Sequence, residues 1–428
     1  MASPPRNAGA PAPLAAAVAA VAPCTFPEAV LLRVADLIGL EAISEAEKLV
    51  RATEFISELD QTKTSADYFT KLFRRLPRIS LKPSTRVATP RTHYNLLKPN
   101  NGDSFVNTIK QDEIGRGTFG AVYESMPVGA NPRGGYAYKF IRMSAANSDE
   151  FEQTVRGIFL EAFIQLVLSM DPEKGSFVCG IEKLFRSDAI TIVIKMELIT
   201  DSFLDRLGPA TSWSDLRSML ATIHDLLMHF RAKYGFHHRD FHSGNLMMNG
   251  LTMKLIDFGE ACITCGGKTF SLRRGGAVQT CESADLLIFV SSLYEYSPLE
   301  PDVKKKLFGL LEDVKYEFGG EERLDEWYLA LKTKDRRFQR TFYDEQKDDI
   351  KDETVFHRFY HYKLNDPAEW RNGPEPEKNR SAIAQRLLMN YDRDFLDLLR
   401  KTPAAGGRRI RRTRQRKRAS RRRTRRRR

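Results

Sequence analysis

Three polar residues near the middle of the chain have the types and spacing that phosphoryl transfer needs. They are Asp240, Asn245 five residues later, and Asp257 seventeen residues after Asp240. The reaction requires an acceptor hydroxyl aimed at a γ-phosphate and metal ions that bridge the phosphates. Asp240 can orient the hydroxyl and accept its proton, and the oxygens of Asn245 and Asp257 are the hard ligands that Mg²⁺ prefers. The alternative is that the three residues simply cap loops.

A glycine-rich stretch upstream has the composition of a phosphate-binding loop. Gly115, Gly117 and Gly120 would let the backbone close over a triphosphate, because glycine has no Cβ that could clash. Val122 follows, and Lys139 lies 17 residues beyond it in a strand-like pattern. Three glycines alone are common in turns, and an isolated lysine of this kind can be a solvated strand residue. The stretch therefore indicates a phosphate-binding loop only in combination with the other motifs.

Taken together, these segments resemble the protein kinase superfamily. His-Arg-Asp at 238–240, followed by Asn245, is similar to the catalytic loop of that family, and Asp-Phe-Gly at 257–259 is similar to its metal loop. The glycine-rich stretch and Ala-Tyr-Lys at 137–139 are similar to its nucleotide loop and its lysine strand. The resemblance implies the base and metal-ligand roles given above. It also implies that the lysine holds the α- and β-phosphates of ATP.

The same resemblance implies further catalytic and nucleotide-binding residues. Glu161, in a helical pattern 22 residues after Lys139, is the expected partner of that lysine. Met196 would be the gatekeeper, and adenine would bond the backbone of Glu197 and Leu198, although a buried strand followed by a turn is the simpler alternative. The expected ATP-binding residues are Ile114, Gly115, Gly117, Gly120, Val122, Ala137, Lys139, Met196, Glu197 and Leu198.

Two departures from the family pattern bear on the acceptor. His242 lies two residues after Asp240, where Ser/Thr kinases usually carry a lysine that faces the γ-phosphate. Histidine there resembles small-molecule kinases of the aminoglycoside-phosphotransferase type, and its charge is partial near neutral pH. We include His242 among the expected catalytic residues. No Ala-Pro-Glu follows the metal loop, and Asp285, which resembles the aspartate that supports the catalytic loop, comes only 28 residues after Asp257. The activation segment is therefore short.

The elements that must position these residues follow an α+β pattern. Five strand-like stretches with one helix, over 148–170, precede a mainly helical remainder. This order is typical of a bilobal protein-kinase-like fold with a five-stranded N-lobe and a helical C-lobe. The predicted division is a disordered arm at 1–24, a helical region at 25–76, a linker at 77–103, a kinase-like domain at 104–400 with lobes at 104–198 and 199–400, and a disordered tail at 401–428.

Composition and cysteine usage indicate a globular protein of a reducing compartment. Apolar residues make up 42% of the 428 residues, enough for a sizeable core, and no apolar run of about 18 residues predicts a membrane span. The cysteines are Cys24, Cys179, Cys262, Cys265 and Cys281. Five sparse cysteines do not suggest a disulfide framework. We expect free thiols, with a zinc or redox site at the last three as the alternative.

The basic charge of the chain is concentrated in one tail. Fifteen of the 68 Lys and Arg residues lie at 408–428, so the remaining 53 nearly balance the 55 acidic residues. Because arginine pairs bidentately with phosphate, DNA or RNA is the expected partner, and without aromatic residues sequence-specific reading is not expected. A nuclear-import signal or a solvated tail are the alternatives. Such a tail on a compact kinase also resembles kinases encoded by large DNA viruses. We expect an intracellular protein, cytoplasmic or nuclear, or virion-associated if its origin is viral.

Deletion of residues 406–428 is expected to weaken binding to DNA or RNA at low salt and to leave turnover of a free peptide unchanged. The reason is that each lost arginine–phosphate contact removes counterion release and flattens the salt dependence of binding. Titrations of labelled nucleic acid from about 50 to about 200 mM salt, with the full chain as reference, measure both effects. Undiminished affinity in the shortened chain would refute the assignment.

On these grounds we expect an ATP- and Mg²⁺-dependent protein kinase directed to serine and threonine, with a protein substrate that the sequence does not identify. The Ala-x-Arg that tyrosine kinases carry after the catalytic aspartate is absent. One alternative is a small-molecule kinase, which His242 and the short activation segment favour. Another is a catalytically retired kinase fold that acts as a nucleic-acid-associated scaffold. The intact Lys139, Asp240, Asn245 and Asp257 argue against that last alternative.

Overall fold

A computed structural model describes most of the predicted domain. The described residues are 25–60, 67–83, 93–97, 105–117, 120–127, 135–143, 147–274, 277–278, 281, 283–317 and 391–402. The predicted arm at 1–24, the arginine-rich tail at 408–428 and residues 318–390 of the predicted C-lobe lie outside this part. No helix within the described ranges is long and apolar enough to cross a membrane.

Seven antiparallel strands form the sheet of the N-terminal lobe. They are β1 (Ser80–Pro83), β2 (His93–Leu97), β3 (Phe105–Gly117), β4 (Gly120–Pro127), β5 (Tyr136–Arg142), β6 (Ile181–Arg186) and β7 (Thr191–Glu197). The sheet order is β1-β2-β3-β4-β5-β7-β6. The connection from β5 to β6 contains the one long helix of this lobe, as the sequence predicts for 148–170.

The predicted linker at 77–103 differs from the structure, because β1 and β2 both lie within it and extend the predicted five strands to seven. The prolines favoured a linker there, yet Pro83 is the last residue of β1, which is an edge strand, and edge strands tolerate proline. The chain before β1 also meets the opposite edge of the sheet. Ile79 N–H donates to the Arg186 carbonyl at 2.9 Å, and Arg186 N–H donates to the Pro77 carbonyl at 3.0 Å.

Three helices precede the sheet, in the region where periodicity predicts them. They are α1 (Glu28–Leu37), α2 (Glu45–Asp60) and α3 (Tyr68–Arg75). Ser44 caps α2, since its hydroxyl accepts the Glu47 N–H at 3.3 Å. Val34, Phe55 and Phe73 are fully buried and pack with the long helix α4 (Ser148–Ser169) in one continuous core. The N-terminal helices are therefore part of the same hydrophobic core as α4.

The described part of the C-terminal lobe is mainly helical, with short hairpins around the candidate site. Its elements are β8 (Asp201–Ser202), α5 (Phe203–Arg206), α6 (Trp213–Tyr234), β9 (Leu246–Asn249), β10 (Thr252–Leu255), β11 (Ile263–Cys265), β12 (Lys268–Phe270), β13 (Arg273–Arg274), β14 (Ala277–Val278), α7 (Asp285–Tyr296), α8 (Pro301–Glu317) and a helix over 391–401. Asp392 attaches that last helix, because it accepts from Arg231 at 2.7 Å and from the Leu286 N–H at 3.1 Å. Burial raises the pKa of Asp392 to about 7. The α+β, bilobal fold class is confirmed.

Candidate active site

Four of the predicted ATP-binding side chains share one face of the N-lobe sheet. In the strand register Val122 lies opposite Lys139, and Ala137 lies opposite Met196. Directly opposed residues, and residues two apart along a strand, point to the same face. The register therefore places an apolar patch suited to a planar base directly beside the lysine, with Ala137 buried and Met196 half-buried.

The glycine-rich stretch is the closed end of the β3–β4 hairpin. Gly117 lies opposite Gly120, and the exposed Ile114 occupies a bulge just before Gly115. A Cβ at position 120 would lie 2.1 Å from the Phe140 carbonyl oxygen, closer than real Cβ contacts come. Glycine is therefore required where the hairpin crosses the strand that carries the lysine. The two residues at the tip lie outside the described part of the chain.

Lys139 joins two carboxylates at the mouth of this patch. Its Nζ lies 2.6 Å from Glu161 Oε1 and 3.3 Å from Asp257 Oδ1. Burial alone would lower the pKa of Lys139, but the two carboxylates raise it above its usual value, so the lysine remains an ammonium. The structure thus brings together the predicted lysine, its predicted glutamate from α4 and the predicted metal ligand.

The catalytic loop holds Asp240 and Asn245 against each other. The Asn245 amide nitrogen donates to the Asp240 carbonyl at 2.8 Å and lies 3.4 Å from Asp240 Oδ2. The hydrogen bonds within the loop therefore involve the amide nitrogen of Asn245 and not its amide oxygen. Arg239 (φ +66°) and Asp257 (φ +58°) both adopt the left-handed conformation that non-glycine residues rarely accept. Such strain is concentrated at functional sites, where the surrounding structure enforces it.

His242 stands beside the predicted base with a defined tautomer. Its Nδ1 accepts the Gly244 N–H at 3.0 Å, so in the neutral ring the proton lies on Nε2. Nε2 is 3.9 Å from Asp240 Oδ2, and both side chains are partly exposed. The site therefore offers an N–H donor next to the carboxylate that would receive the hydroxyl proton.

Asp285 anchors the catalytic loop from the start of α7. Its two oxygens accept the backbone N–H groups of His238 and Arg239, each at 2.9 Å. Burial opposes the charge of Asp285, but Arg231 and these N–H donors hold its pKa below the usual range. His238 continues the connection, because its Nε2 lies 3.0 Å from the Ile256 carbonyl, just before the metal loop. These hydrogen bonds to the backbone of the catalytic loop are the contacts through which Asp285 would play its predicted supporting role.

Glu197 limits the predicted adenine contacts. Its N–H already donates to the Gly180 carbonyl at 2.8 Å, as a bond of the sheet. Its carboxylate accepts from the Gly180 N–H at 3.0 Å, from Lys254 at 2.9 Å and from Asn249 at 2.8 Å, which ties the hinge to the β9–β10 hairpin. The expectation that the backbone of Glu197 and Leu198 bonds adenine stays a prediction, and at Glu197 the carbonyl oxygen would be the atom used, because the N–H is already bonded to Gly180.

The prediction of free thiols is wrong for two cysteines of the activation segment. Cys262 and Cys281 form a disulfide, with their Cα atoms 5.7 Å apart. Sequence spacing hid the pair because the chain leaves the metal loop, forms the β11–β12 hairpin and returns 19 residues later. Cys262 is fixed beside the catalytic loop by paired backbone bonds with His237 at 2.9 and 3.0 Å. Cys179 is the buried free cysteine among the described residues, and burial raises its pKa to about 12.

A buried carboxylate that the sequence analysis missed connects the two lobes. Asp171 lies two residues beyond the end of α4 and accepts hydrogen bonds from three side chains of α6, namely His229 at 3.1 Å, Lys233 at 2.7 Å and Tyr234 at 3.0 Å. Two backbone N–H groups complete the shell at 2.7 and 3.0 Å. A single acid after a helix has no sequence signature, since its partners lie about 60 residues away.

Asp171→Asn is expected to lower the free energy of unfolding by about 2 kcal/mol at pH 7, because it removes charge-assisted hydrogen bonds to a fully buried group. These donors hold the pKa of Asp171 below its usual value, although burial opposes them. Its contribution is therefore complete above the unfolded-state pKa of about 3.9 and is lost as the pH falls below it. Denaturant melts at pH 7 and pH 3 measure the difference, with the exposed Asp225→Asn as the matched control. A gap that widens in acid would contradict this account.

The residues present fit a magnesium ion by the chemistry of their donors. Asp257 presents a carboxylate that is 39% exposed, and Asn245 has an amide oxygen that its loop bonds do not use. These are the hard oxygen ligands that Mg²⁺ takes alongside phosphate oxygens and waters. Asn245 and Asp257 would hold the ion, with Lys139 in contact with Asp257 and Asp240 in contact with Asn245.

Residues 108–277 match the family model of the protein kinase domain. The match begins in β3 and ends in β14, so it contains the glycine-rich hairpin, α4, the catalytic loop and the metal loop. No curated protein matches the chain. With the fold, the motifs and the family model in agreement, residues 108–277 form a domain of the protein kinase superfamily.

Proposed function

We propose that this chain is an ATP- and Mg²⁺-dependent protein kinase that transfers the γ-phosphate to serine and threonine hydroxyls. The observation that supports this most directly is the junction of Lys139, Glu161 and Asp257, at 2.6 and 3.3 Å, beside the loop that carries Asp240. A scaffold with a retired kinase fold would have no need for a buried lysine paired in this way. The arginine-rich tail at 408–428 would bring the activity to DNA or RNA.

Each residue has one task in this mechanism. Lys139, fixed by Glu161, binds the α- and β-phosphates, and Asp240 orients the acceptor hydroxyl and takes its proton. The hydroxyl oxygen bonds to the γ-phosphorus while the bond from that phosphorus to the β,γ-bridging oxygen breaks, and ADP is the leaving group. His242 places an N–H donor next to that carboxylate. Asn245 and Asp257 would hold magnesium, which would supply charge neutralisation on the phosphates when bound.

A small-molecule kinase is the second candidate, and two observations favour it. His242 stands where protein Ser/Thr kinases usually carry lysine. The activation segment between Asp257 and Asp285 is short, and it is cross-linked within itself by the β11–β12 hairpin and by the disulfide between Cys262 and Cys281. The short segment offers less surface for a peptide to dock on, whereas the chemistry at Lys139 and Asp240 would be the same for either acceptor.

Transfer from γ-labelled ATP with Mg²⁺ tests the proposal with the purified full chain. The acceptors are a mixed protein pool, the chain itself, and a panel of amino sugars and small alcohols. Asp240→Asn is expected to lose about 10³-fold in kcat, because the amide cannot accept the hydroxyl proton. Asp397→Asn, an exposed aspartate on the helix over 391–401, is the matched control and should behave as wild type.

The acceptor that gains label decides between the candidates. Label on serine or threonine, lost in Asp240→Asn, supports a protein kinase. Label on a small molecule alone, lost in the same variant, makes the chain a small-molecule kinase. Absence of label on every acceptor, despite binding of Mg²⁺-ATP seen as a thermal shift, overturns both and leaves the scaffold reading.

A further inference from the structure

We infer that helices α1, α2 and α3 form a built-in brace that activates the kinase, and that Glu152 and Arg156 are the positioning residues through which this N-terminal brace holds Glu161 beside Lys139. The inference deepens the proposed function, on which it rests, by assigning a regulator to the same site. It gives residues 25–76 a role that their sequence does not reveal.

Glu152 caps a helix of the brace. It lies in the first half of α4, is 7% exposed, and accepts the N–H groups of Phe69 and Thr70, each at 2.7 Å, together with the Thr70 hydroxyl at 2.5 Å. These N–H groups belong to the first turn of α3, which has no carbonyl partners of its own. Asp67, the residue before α3, makes no side-chain cap in the described chain. A negative charge at a helix N-terminus is stabilising, so α3 takes its cap from α4.

Arg156 repeats the arrangement at the other end of the brace. One turn after Glu152 on the same face of α4, it is 3% exposed and donates to the carbonyl of Leu59, at the C-terminal end of α2. The last carbonyls of a helix also lack partners and favour a positive charge. Two opposite charges of one helix thus satisfy the start of α3 and the end of α2. These two contacts fix the orientation of the brace on α4 and also stabilise its packing there.

The opposite face of α4 carries the catalytic glutamate. Glu161 is nine residues beyond Glu152, which at about 100° per residue places the two on opposite sides of the helix. Phe159 and Phe163 continue the brace side, with ring centroids 5.8 and 6.2 Å from that of Phe55 in α2. α4 is therefore held between the brace on one side and the lysine strand on the other.

The brace also contacts the activation segment. Phe270 of β12 packs against Phe26, just before α1, with ring centroids 6.0 Å apart, and against Phe163 of α4 at 5.4 Å. Lys268 pairs with Asp60 at the end of α2 at 3.6 Å. One set of helices thus contacts both α4 and the activation segment.

Helix shifts of only 1–2 Å are a common form of switching, and such a shift would break the 2.6 Å contact between Lys139 and Glu161. A brace on the far face of α4 opposes it. Because the brace is part of the same chain, its effective concentration is high and no separate partner is required. The brace also supports the short activation segment. The contact between Lys139 and Glu161 therefore does not depend on a phosphate in that segment.

A double-mutant cycle tests whether Glu152 acts through Glu161. Glu152→Gln keeps the volume and removes the charge, and we expect it to lower kcat about tenfold, with little change in KM for the acceptor. In a Glu161→Gln background the same change should have less than a twofold further effect, because the positioned group is already gone. Glu150→Gln, the same substitution on the exposed side of α4 two residues away, should match wild type.

Thr70→Val approaches the same contact from the brace and does not alter α4. It removes the hydroxyl that donates to Glu152, and it should lower kcat in the same direction by about threefold. If either variant unfolds, the other still answers the question. Variants that melt at lower temperature yet keep full kcat at 20 °C, or a cycle in which the two effects multiply, would make the brace a purely structural support and overturn the inference.

A second measurement separates this inference from the proposed function. Hydrogen exchange of peptides that span Glu161 should speed up in Glu152→Gln, while peptides of β5 stay protected. Affinity for a fluorescent ATP analogue should fall with it. Neither measurement needs an acceptor, so they remain decisive if no substrate is phosphorylated. Unchanged exchange and unchanged nucleotide affinity would overturn the brace even in an active kinase.

Discussion

Replacing Asp257 with alanine is expected to reduce phosphoryl transfer by about 10³-fold or more, because loss of a metal ligand removes several kcal/mol of transition-state stabilisation. The fold should survive. The Asp257 side chain is 39% exposed, and Lys139 keeps its shorter contact with Glu161 at 2.6 Å. Alanine also has to adopt the left-handed backbone that Asp257 occupies at φ +58°, so we expect a further loss of about 1 kcal/mol of stability.

Asp257→Asn separates the two effects. Asparagine tolerates a left-handed backbone as aspartate does, so this variant should keep the melting temperature of wild type and still lose nearly all turnover. The measurement is kcat over a magnesium titration, with a thermal melt of each variant and Asp397→Ala as the exposed control. More than a tenth of wild-type activity in Asp257→Asn would contradict the assignment of a metal ligand.

The catalytic and metal loops could be predicted from the sequence because their geometry is local. Asp240 and Asn245 lie five residues apart, and the amide of one reaches the carbonyl of the other within the same loop. The strands β9 and β10 between this loop and Asp257 form a hairpin, which returns the chain to the place where it started. Because the hairpin is short, the two loops it joins must lie close together in space. Their spacing in the sequence was therefore enough to predict that they meet.

The lysine pair was predicted through resemblance, because two elements must meet for it to form. Lys139 lies in the central part of the sheet and Glu161 in the middle of α4, and residue type does not separate Glu161 from the other acids of that helix. The structure shows why Glu152 is different: it faces α3, on the other side of α4. Two glutamates of one helix thus have different proposed roles, Glu161 at the candidate site and Glu152 in the packing of α3, and only their partners distinguish them.

The features that the sequence did not reveal depend on contacts between distant segments. Glu152 meets α3 at a separation of 82–83 residues, and Asp171 meets α6 at about 60. The sequence did not predict the strands β1 and β2, because proline argues against a central strand but not against an edge strand, and the sequence does not show which of the two a segment forms. Charged residues without a motif, such as Glu152 and Asp171, carry no sequence signal of a role, although burial and paired hydrogen bonds make them structural.

Lys139→Met is expected to lower kcat by about 10² to 10³-fold, because the fixed ammonium that would bind the ATP phosphates is lost. A second effect follows from burial. Glu161 is 7% exposed in its side chain, and without Lys139 it becomes a buried carboxylate with no ammonium beside it. Removal of one partner of such a pair typically costs about 3–5 kcal/mol of stability. The variant should therefore be both inactive and less stable than wild type.

The pH dependence and a compensating change separate the loss of binding from the loss of stability. In Lys139→Met, burial without the ammonium raises the pKa of Glu161, so its destabilisation should be greatest at alkaline pH and diminish as the pH falls and the carboxyl takes up a proton. Adding Glu161→Leu to Lys139→Met should restore most of the melting temperature and none of the turnover. Lys305→Met, an exposed lysine on α8, is the matched control. Recovered activity in the double variant would show that Lys139 acts by stabilising the fold and does not bind phosphate.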